Sequence, residues 1–451
     1  MITKAQLGKL GLFDAKVPRY TSYPTAPHFS ENVGPARFVQ WIQAIPSGSQ
    51  ISLYIHVPFC RRLCCFCACR TQGTQSDRPV AAYLDTLKAE LALLASYLPH
   101  GVTLSRLHWG GGTPTLLSAS MMEDLAGAIH DVAPFAPNTE FSVEIDPNEI
   151  DTARLDALAR AGMTRASIGV QDFDPTIQNS IGRIQSFDVT RDAALELRAR
   201  GVQSLNADIL FGLPHQTNAR ITESVQKLLS LNPDRVALYG YAHVPWMAKR
   251  QQMIPSDSLP TPQERLELFE TARRLFLWDG YDEIGIDHFA SAGDGLSTAQ
   301  RQGLLRRNFQ GYTDDQADVL IGLGASSISR FPQGYAQNAP ATGTHTGAIR
   351  DGRFSTQRGH VFAGDDLLRS RIIEALMCDF VVRTADITQN FDISAPALLQ
   401  MFKAVDADYQ GLLQVSDEGL AIPPQIRPLT RMIARSFDTY VMDKAGHSSA
   451  I

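Results

Sequence analysis

The sequence predicts an α/β protein: a β/α barrel, complete or incomplete, between an N-terminal arm and a mainly helical C-terminal part. Three observations lead there. Short apolar runs alternate with helix-like segments from about residue 50 to residue 286. Caps and glycines punctuate the helix-like segments. A proline-containing stretch precedes the alternating region, and a Gly- and Ser-containing stretch follows it.

The apolar runs are Ser52–Val57, Ser105–Trp109, Glu140–Ile145, Arg165–Val170, Ser204–Leu210, Arg235–Tyr239 and Glu283–Ile286. Val, Ile, Leu and aromatics dominate them, as in strands covered on both faces. Strand–helix alternation implies parallel strands with right-handed crossovers. The spacing suits a β/α barrel; a doubly wound open sheet is the alternative. Between the strands, Asp151 can N-cap a helix with Leu155 and Leu158 on one face, ending at Gly162. Ser186 can cap the next, with Ala194, Leu195 and Leu197 inside it and Gly201 just past its end. A third follows Pro262, carries Leu266, Phe269, Leu275 and Phe276, and stops at Gly280.

Residues 1–50 hold Pro18, Pro24, Pro27 and the aromatic cluster RYTSYP (Arg19 to Pro24), and are expected to form an extended arm. The barrel is expected over 51–335 and the C-terminal domain over 336–451, with a linker over about 333–365. Beyond it Leu367–Phe380 and Pro396–Tyr409 read as helices, Leu412–Ile422 as a hairpin and Ile426–Met442 as a last helix. Helices followed by a hairpin resemble a winged helix. The basic face of a DNA-binding module is not apparent, so this part is expected to act as a lid or packing domain.

The net charge is −6, from 41 Lys+Arg against 47 Asp+Glu. Such a balance gives no electrostatic reason to bind nucleic acid or anionic lipid. A local basic pocket for an acidic substrate remains open. The start, MITKAQLGKL, lacks the apolar run of a secretory signal. No stretch approaches the roughly 20 apolar residues of a membrane-spanning helix. A cytoplasmic protein is expected, and a monomer, since nothing resembles an obligate coiled-coil interface.

Five of the six cysteines, Cys60, Cys64, Cys65, Cys67 and Cys69, crowd one stretch, with Cys378 alone. Cysteines so close cannot be a disulfide framework holding distant loops; a metal or cluster site in a reducing compartment fits better. Structural zinc wants four protein ligands, and no second Cys or His pair stands at a suitable distance. Cys60, Cys64 and Cys67 taken as three ligands leave a cubane cluster with one iron free, which the amino and carboxylate groups of S-adenosylmethionine (SAM) can chelate. CxxC at Cys64 and Cys67 also fits zinc or redox pairs, and Cys69 can be a fourth ligand, a reactive thiol or a buried one.

Other strand ends carry chemistry. Gly110-Gly111-Gly112-Thr113-Pro114 follows Trp109, and such glycines let backbone approach a ligand; the bland reading is a tight turn. Glu144, Gln171 and Asp208 lie near the ends of apolar strands, where β/α barrels build their sites. Each alone reads equally well as a loop residue. Carboxylates there suit ribose hydroxyls, and Arg183 suits a carboxylate. His288 can touch substrate or sit hydrogen-bonded in the core.

CxxxCxxC with aromatic Phe66 before the last cysteine resembles the radical SAM signature, and the Gly110–Pro114 run resembles that superfamily's SAM-holding motif. YTSYPT (Tyr20–Thr25), HVPFC (His56–Cys60), HWGGGTPT (His108–Thr115), EIDP (Glu144–Pro147), GVQDF (Gly169–Phe173), DILFGLP (Asp208–Pro214), YAHVP (Tyr241–Pro245), IDHFA (Ile286–Ala290), RNFQGYT (Arg307–Thr313) and YAQN (Tyr335–Asn338) are similar to the oxygen-independent coproporphyrinogen III dehydrogenases. The resemblance covers nearly the whole chain and is weakest after about residue 340.

That resemblance implies an incomplete, TIM-like radical SAM barrel with an N-terminal arm and a C-terminal helical domain. It implies conversion of coproporphyrinogen III to protoporphyrinogen IX, with two propionates becoming vinyls and two SAM molecules consumed. It implies a [4Fe-4S] cluster on Cys60, Cys64 and Cys67. It places Tyr54, Phe66, Gly111, Gly112, Thr113, Glu144, Gln171, Arg183, Asp208, Ala242 and Ile328 against SAM. Cys69 falls on the family's further cysteine, and Arg19 is the candidate for gating or for binding a substrate carboxylate. Cys65 departs from the pattern and is expected to pack as a small apolar residue, with an alternative ligand set open. The electron donor and acceptor are not specified. Two rivals stand beside this reading. Haem-carrying relatives typically lack the last cysteine of CxxxCxxCxC and the YTSYP arm, both present here. A zinc-stabilised binding module would need a basic face.

Overall fold

A computed structural model describes residues 3–441 and 448–451. Its centre is a twelve-stranded sheet in the order β16-β15-β14-β13-β1-β4-β5-β6-β7-β8-β10-β9. The barrel strands are β1 (Gln50–Val57), β4 (Thr103–Gly111), β5 (Phe135–Ile145), β6 (Arg165–Gln171), β7 (Ser204–Phe211) and β8 (Arg235–Gly240). Each is parallel to the next. Two short strands, β2 (Phe59–Cys60) and β3 (Gln72–Gly73), pair at the base of the cysteine loop. The sheet does not close, so the barrel is incomplete.

The strands alternate more sharply than their apolar composition suggests. Leu107 and Trp109 of β4, Phe141 and Val143 of β5, and Val236 and Leu238 of β8 are buried in the core with the surrounding helices. Their neighbours Arg106, His108, Glu140, Ser142, Glu144, Asp208 and Arg235 line an interior cavity of about 180 Å³. A period of two thus separates an apolar outside from a polar inside. Low on the strands, Arg235 Nε bridges both oxygens of Asp294 at 2.7 and 2.8 Å, and Glu140 lies 3.5 Å from Arg235 and 3.6 Å from Arg165. Burial alone would raise Glu140, but the guanidiniums of Arg235, Arg165 and Arg106 outweigh it and hold the carboxyl at about 2.

The expected caps form. Asp151 accepts from Arg154 N–H, Ser186 from Val189 N–H, and Thr261 with Glu264 makes a capping box before Pro262. Leu195 lies in its helix but points outward, 60% exposed.

Four expectations need correction. Glu283–Ile286 is not a parallel barrel strand. β9 (Asp282–Ile284) and β10 (His288–Ala290) form an antiparallel edge on β8, because only three residues separate them. The expected linker over 333–365 is folded into the main sheet. β13 (Leu320–Leu323) runs parallel to β1, and β14 (Ile328–Phe331), β15 (Gly334–Asn338) and β16 (Thr356–Val361) extend it antiparallel. The hairpin of β11 (Arg306–Asn308) and β12 (Gly311–Thr313) contributes Asn308 and Tyr312 to the interior cavity. The last helix covers only Thr430–Arg435, preceded by a 3-10 turn over Pro424–Leu429 that contains Pro428; the expected end at Met442 lies outside the described residues.

The arm is not simply extended. Helix Pro35–Gln43 joins the barrel core through Phe38, Trp41 and Ile42. Leu7, Leu12, Val17, Tyr20 and Tyr23 pack instead into a second core with the C-terminal helices. Those helices are Asp366–Asp379, Thr384–Asn390 and Ala395–Asp408, beside the antiparallel sheet β17 (Val381–Arg383), β19 (Gly419–Ala421) and β18 (Gln414–Ser416). Thr384–Asn390 was not expected as a helix; at seven residues it is too short to show a periodic face. Tyr20 OH donates to Asp438 at 2.9 Å, and Tyr23 OH meets Thr439 at 3.2 Å, so the aromatic cluster stitches the two ends of the chain together. No helix among the described residues is long and apolar enough to cross a membrane.

Candidate active site

The site forms toward the C-terminal ends of β1, β4, β5, β6, β7 and β8, where the polar inner face meets the cysteine loop. The three expected cluster thiols, Cys60, Cys64 and Cys67, are free, partly buried and within electrostatic reach of one another. Burial pushes Cys60 up to about 11 and Cys64 up from its usual value. Cys67 moves the other way, held down by the hydrogen bond from Cys69, whose thiol is pushed up in return. The Cys69 N–H also donates to Cys67 Sγ at 3.4 Å. Among the described residues no three His, Cys, Asp or Glu side chains meet tightly enough to share one metal ion. Thiolates of a polynuclear cluster each bind a different iron and need not meet at one point.

Cys65 packs with Phe66 against an apolar cluster that includes Ile177, Ile181, Leu210 and Ile254, and its N–H donates to Ile181 O at 2.9 Å. That is the place of a small apolar side chain.

The glycine run is held rigidly. Gly112 N–H donates to Val57 O at 2.8 Å and Thr113 N–H to Phe59 O at 2.7 Å, tying β4's end to the start of the cysteine loop. Gly111 has φ +111°, and a Cβ there would meet the His56 ring at 2.5 Å. A Cβ on Gly112 would meet Phe59 O at 2.5 Å. Gly111 N–H donates to Glu144 Oε2 at 3.0 Å, and His108 Nε2 lies 3.5 Å from Glu144 Oε1. Burial would raise Glu144, but His108 and the Gly111 amide outweigh it and hold the carboxyl below its usual range. Tyr54 stacks on His108 with ring centroids 5.6 Å apart, and its hydroxyl meets His56 Nδ1 at 2.9 Å.

Further round the mouth, Arg183 donates to Gly169 O at 2.8 Å and to Gln185 Oε1 at 2.9 Å, and its Nη1 stands 3.8 Å from Cys64 Sγ. Its Nε is buried without a hydrogen-bond partner. Gln171, at φ +70°, and Arg183 both bring side-chain nitrogens close to Gly169. Asp208 accepts from Asn206 Nδ2 at 2.8 Å, and burial pushes it up to about 6. Ala242 lies just past β8, and its carbonyl is joined to that of Phe66 by one side chain. Gln251 Nε2 donates to Phe66 O at 2.8 Å and to Ala242 O at 3.0 Å, while Gln251 Oε1 accepts from Val244 N–H at 2.6 Å.

The structure therefore gathers Cys60, Cys64, Cys67, Cys69, Tyr54, Gly111, Gly112, Thr113, Glu144, Gln171, Arg183 and Asp208 around one mouth, with Phe66 and Ala242 at its β8 side. Ile328 opens β14, paired with Gln337, and its carbonyl lies against Gly322, the β13 partner of Tyr54. Arg19 lies beyond β8, where its Nη2 donates to Gly240 O at 2.7 Å. His288 is a core histidine, bonded to Asp287 at 2.7 Å and Tyr239 at 3.3 Å. His56, His108 and Gln251 were not singled out from the sequence. The two histidines sit inside quoted motifs, so their position was a usable signal; Gln251 had none. Soft thiolates, a crowded glycine cradle and an orphaned Arg183 N–H suit an iron–sulfur cluster and a charged organic ligand beside it.

A radical SAM superfamily model matches residues 54–228. The chain is 67% identical over 451 residues, all of both chains, to the oxygen-independent coproporphyrinogen III oxidase of Paracoccus denitrificans (strain Pd 1222). It is 60% identical over 440 residues, 98% of each chain, to the oxygen-independent coproporphyrinogen III oxidase of Cereibacter sphaeroides (strain ATCC 17023). The solved coproporphyrinogen III oxidase (HemN) from Escherichia coli, described as a radical SAM enzyme, superposes with a TM-score of 0.89 at 35% identity, over 95% of this chain and 100% of that one.

Proposed function

The chain belongs to the oxygen-independent coproporphyrinogen III oxidase family of the radical SAM superfamily, and from that premise we propose that it converts coproporphyrinogen III to protoporphyrinogen IX in haem biosynthesis. Two propionate side chains become vinyls. At each, the β-carbon loses a hydrogen atom, the carboxylate leaves as CO2, and one electron passes to an external acceptor. When bound, the [4Fe-4S] cluster supplies an electron and SAM supplies the hydrogen-abstracting radical.

The chain's own residues hold and orient these groups. Cys60, Cys64 and Cys67 carry the cluster as thiolates. Arg183, beside Cys64, offers cationic N–H groups to a carboxylate. Glu144 stays anionic because His108 and the Gly111 amide stabilise its charge, and it accepts from SAM's polar hydrogens. Gln171 and Asp208 take hydroxyl and amide partners deeper in the mouth. Gly111, Gly112 and Thr113 let SAM approach the backbone, while Tyr54, Phe66 and Ala242 wall it from water and Ile328, behind the β1–β13 pair, completes that side. Cys69 is a non-ligand thiol that serves turnover, and Arg19 binds a propionate. Two SAM molecules are consumed per cycle, an external donor supplies electrons, and the chain works as a monomer.

The observation that carries this reading is the Gly111–Glu144 contact of 3.0 Å beside three free thiols. It provides an anionic anchor and a backbone edge where the cluster would open to a ligand. Release of CO2 from carboxyl-labelled coproporphyrinogen III by anaerobically reconstituted enzyme tests it. Two CO2 per substrate, dependent on SAM, is expected; SAM-independent release or none would reject it.

A further inference from the structure

A cavity of about 980 Å³ lies outside the thiol-bearing mouth, between β8, the helix Pro262–Trp278 and the C-terminal domain. It borders the mouth at Gly240 and Ala242. Its volume is at the upper end for small-molecule sites, roughly 300–1,000 Å³. Phe211, Tyr241, Leu266 and Phe269 give it an apolar wall, and Arg19, Arg265 and Arg307 stand on that wall. Arg265 lies over the Phe211 ring at 5.6 Å, and Arg307 over Tyr312 at 4.4 Å.

Few acidic side chains pair with these guanidiniums, although Glu267, Glu270, Glu283 and Asp287 also line the cavity. Among the described residues neither Arg19 nor Arg265 has an Asp or Glu partner within 4.0 Å. Arg19 donates to Gly240 O, and Arg265 Nε to Ile451 O at 3.1 Å. Arg307 has one acidic neighbour, Asp287, at 3.7 Å, and Asp287 is shared with His288 at 2.7 Å. The Arg307 side chain is only 4% exposed, yet its Nε and Nη1 have no hydrogen-bond partner. A buried cation with unmet donors is costly unless something completes it. Burial and then the charge of Arg19 push Arg265 down to about 10. Arginine stays charged there, so the shift measures a demand for negative charge.

We propose that Arg19, Arg265 and Arg307 form a subsite for the carboxylates of a large, apolar-bodied polyanion: the propionates of the porphyrinogen that are not being decarboxylated. This rests on the reading above. Planar guanidiniums match carboxylates with paired hydrogen bonds, and the aromatic wall takes the macrocycle. The cavity's border at Ala242 lets one edge of such a ligand reach the mouth while its far carboxylates stay clamped.

The test is equilibrium binding of coproporphyrin III, a stable tetracarboxylate, and of its uncharged tetramethyl ester to the reconstituted enzyme. Arg19→Gln, Arg265→Gln and Arg307→Gln are each expected to weaken coproporphyrin III about tenfold to a hundredfold. SAM affinity and ester binding should not change. Arg307→Gln leaves Asp287 buried with one partner fewer and can destabilise the fold. Arg19→Gln, whose side chain is exposed, then decides the matter. Unchanged coproporphyrin III affinity in Arg19→Gln and Arg265→Gln, in an enzyme that still converts coproporphyrinogen III, would overturn the subsite and leave the function standing. A wild-type enzyme without SAM-dependent turnover would instead sink the function.

Discussion

The Gly111 N–H donates to the Glu144 carboxylate at 3.0 Å and so ties the end of β4 to the end of β5. The contact depends on glycine, because Gly111 has φ +111° and no room for a Cβ beside His56. It leaves a negative charge at the mouth, held there by His108.

Glu144→Gln keeps the shape but removes that charge. Hydrogen bonds to charged groups contribute about 1.5–3 kcal/mol, so SAM affinity should fall about tenfold or more by calorimetry. Iron and sulfide content should stay at the wild-type level. An unchanged SAM affinity would mean Glu144 only braces the turn.

Gly112→Ala should be damaging although Gly112 is an ordinary residue by backbone angle. Its new Cβ would lie 2.5 Å from Phe59 O and 2.9 Å from Phe59 N, both backbone atoms that cannot swing aside. Overpacking of this kind costs about 1–3 kcal/mol. Thermal denaturation should show a lower Tm, and SAM binding should be lost; a variant that binds SAM normally would show the turn to be pliable.

Asp208 gives a pH signature. Its folded-state pKa is raised by burial from 3.8 to about 6. The folded chain therefore binds this proton more tightly than the unfolded one. Stability from this group falls as pH rises from about 4 to about 6, and the full cost stands above that window. Asp208→Asn should be more stable than wild type at pH 7.5 by about 2 kcal/mol, after allowance for solvent in the cavity. The two should converge below about pH 4. The same substitution should weaken SAM, since its carboxylate is held ready at a stability cost. Equal Tm values at pH 7.5 would contradict the burial argument.

The cysteines divide into three roles. Alanine at Cys60, Cys64 or Cys67 should abolish cluster binding, read as iron, sulfide and visible absorbance. Cys69→Ala should keep the cluster and lower turnover. Cys65→Ala should retain both, because Cys65 packs among Ile177, Ile181 and Ile254. Loss of the cluster in Cys65→Ala would redraw the ligand set.

Much of this was legible in the chain. The cysteines and the Gly110–Pro114 run stand out because their chemistry demands particular residue types at short spacing. The six parallel strands stand out as Val-, Ile- and Leu-rich runs. Their alternation, as in Glu140-Phe141-Ser142-Val143-Glu144, encoded a polar barrel interior that apolar composition alone hides. Strands β13 to β16 were missed because they are short and interrupted by Gly322, Gly334 and Gly359, and their pairing comes from tertiary contacts. Gln251 was illegible for another reason. It reaches Phe66 O from 185 residues away, and only the folded path brings residue 251 beneath the cysteine loop.

The most direct measurement is anaerobic turnover with reconstituted enzyme, SAM, a reductant, coproporphyrinogen III and an electron acceptor, with both products followed by chromatography. The account predicts protoporphyrinogen IX together with 5′-deoxyadenosine, two of the latter for each of the former. 5′-Deoxyadenosine without any porphyrinogen conversion, or neither product from an enzyme with an intact cluster, would contradict it.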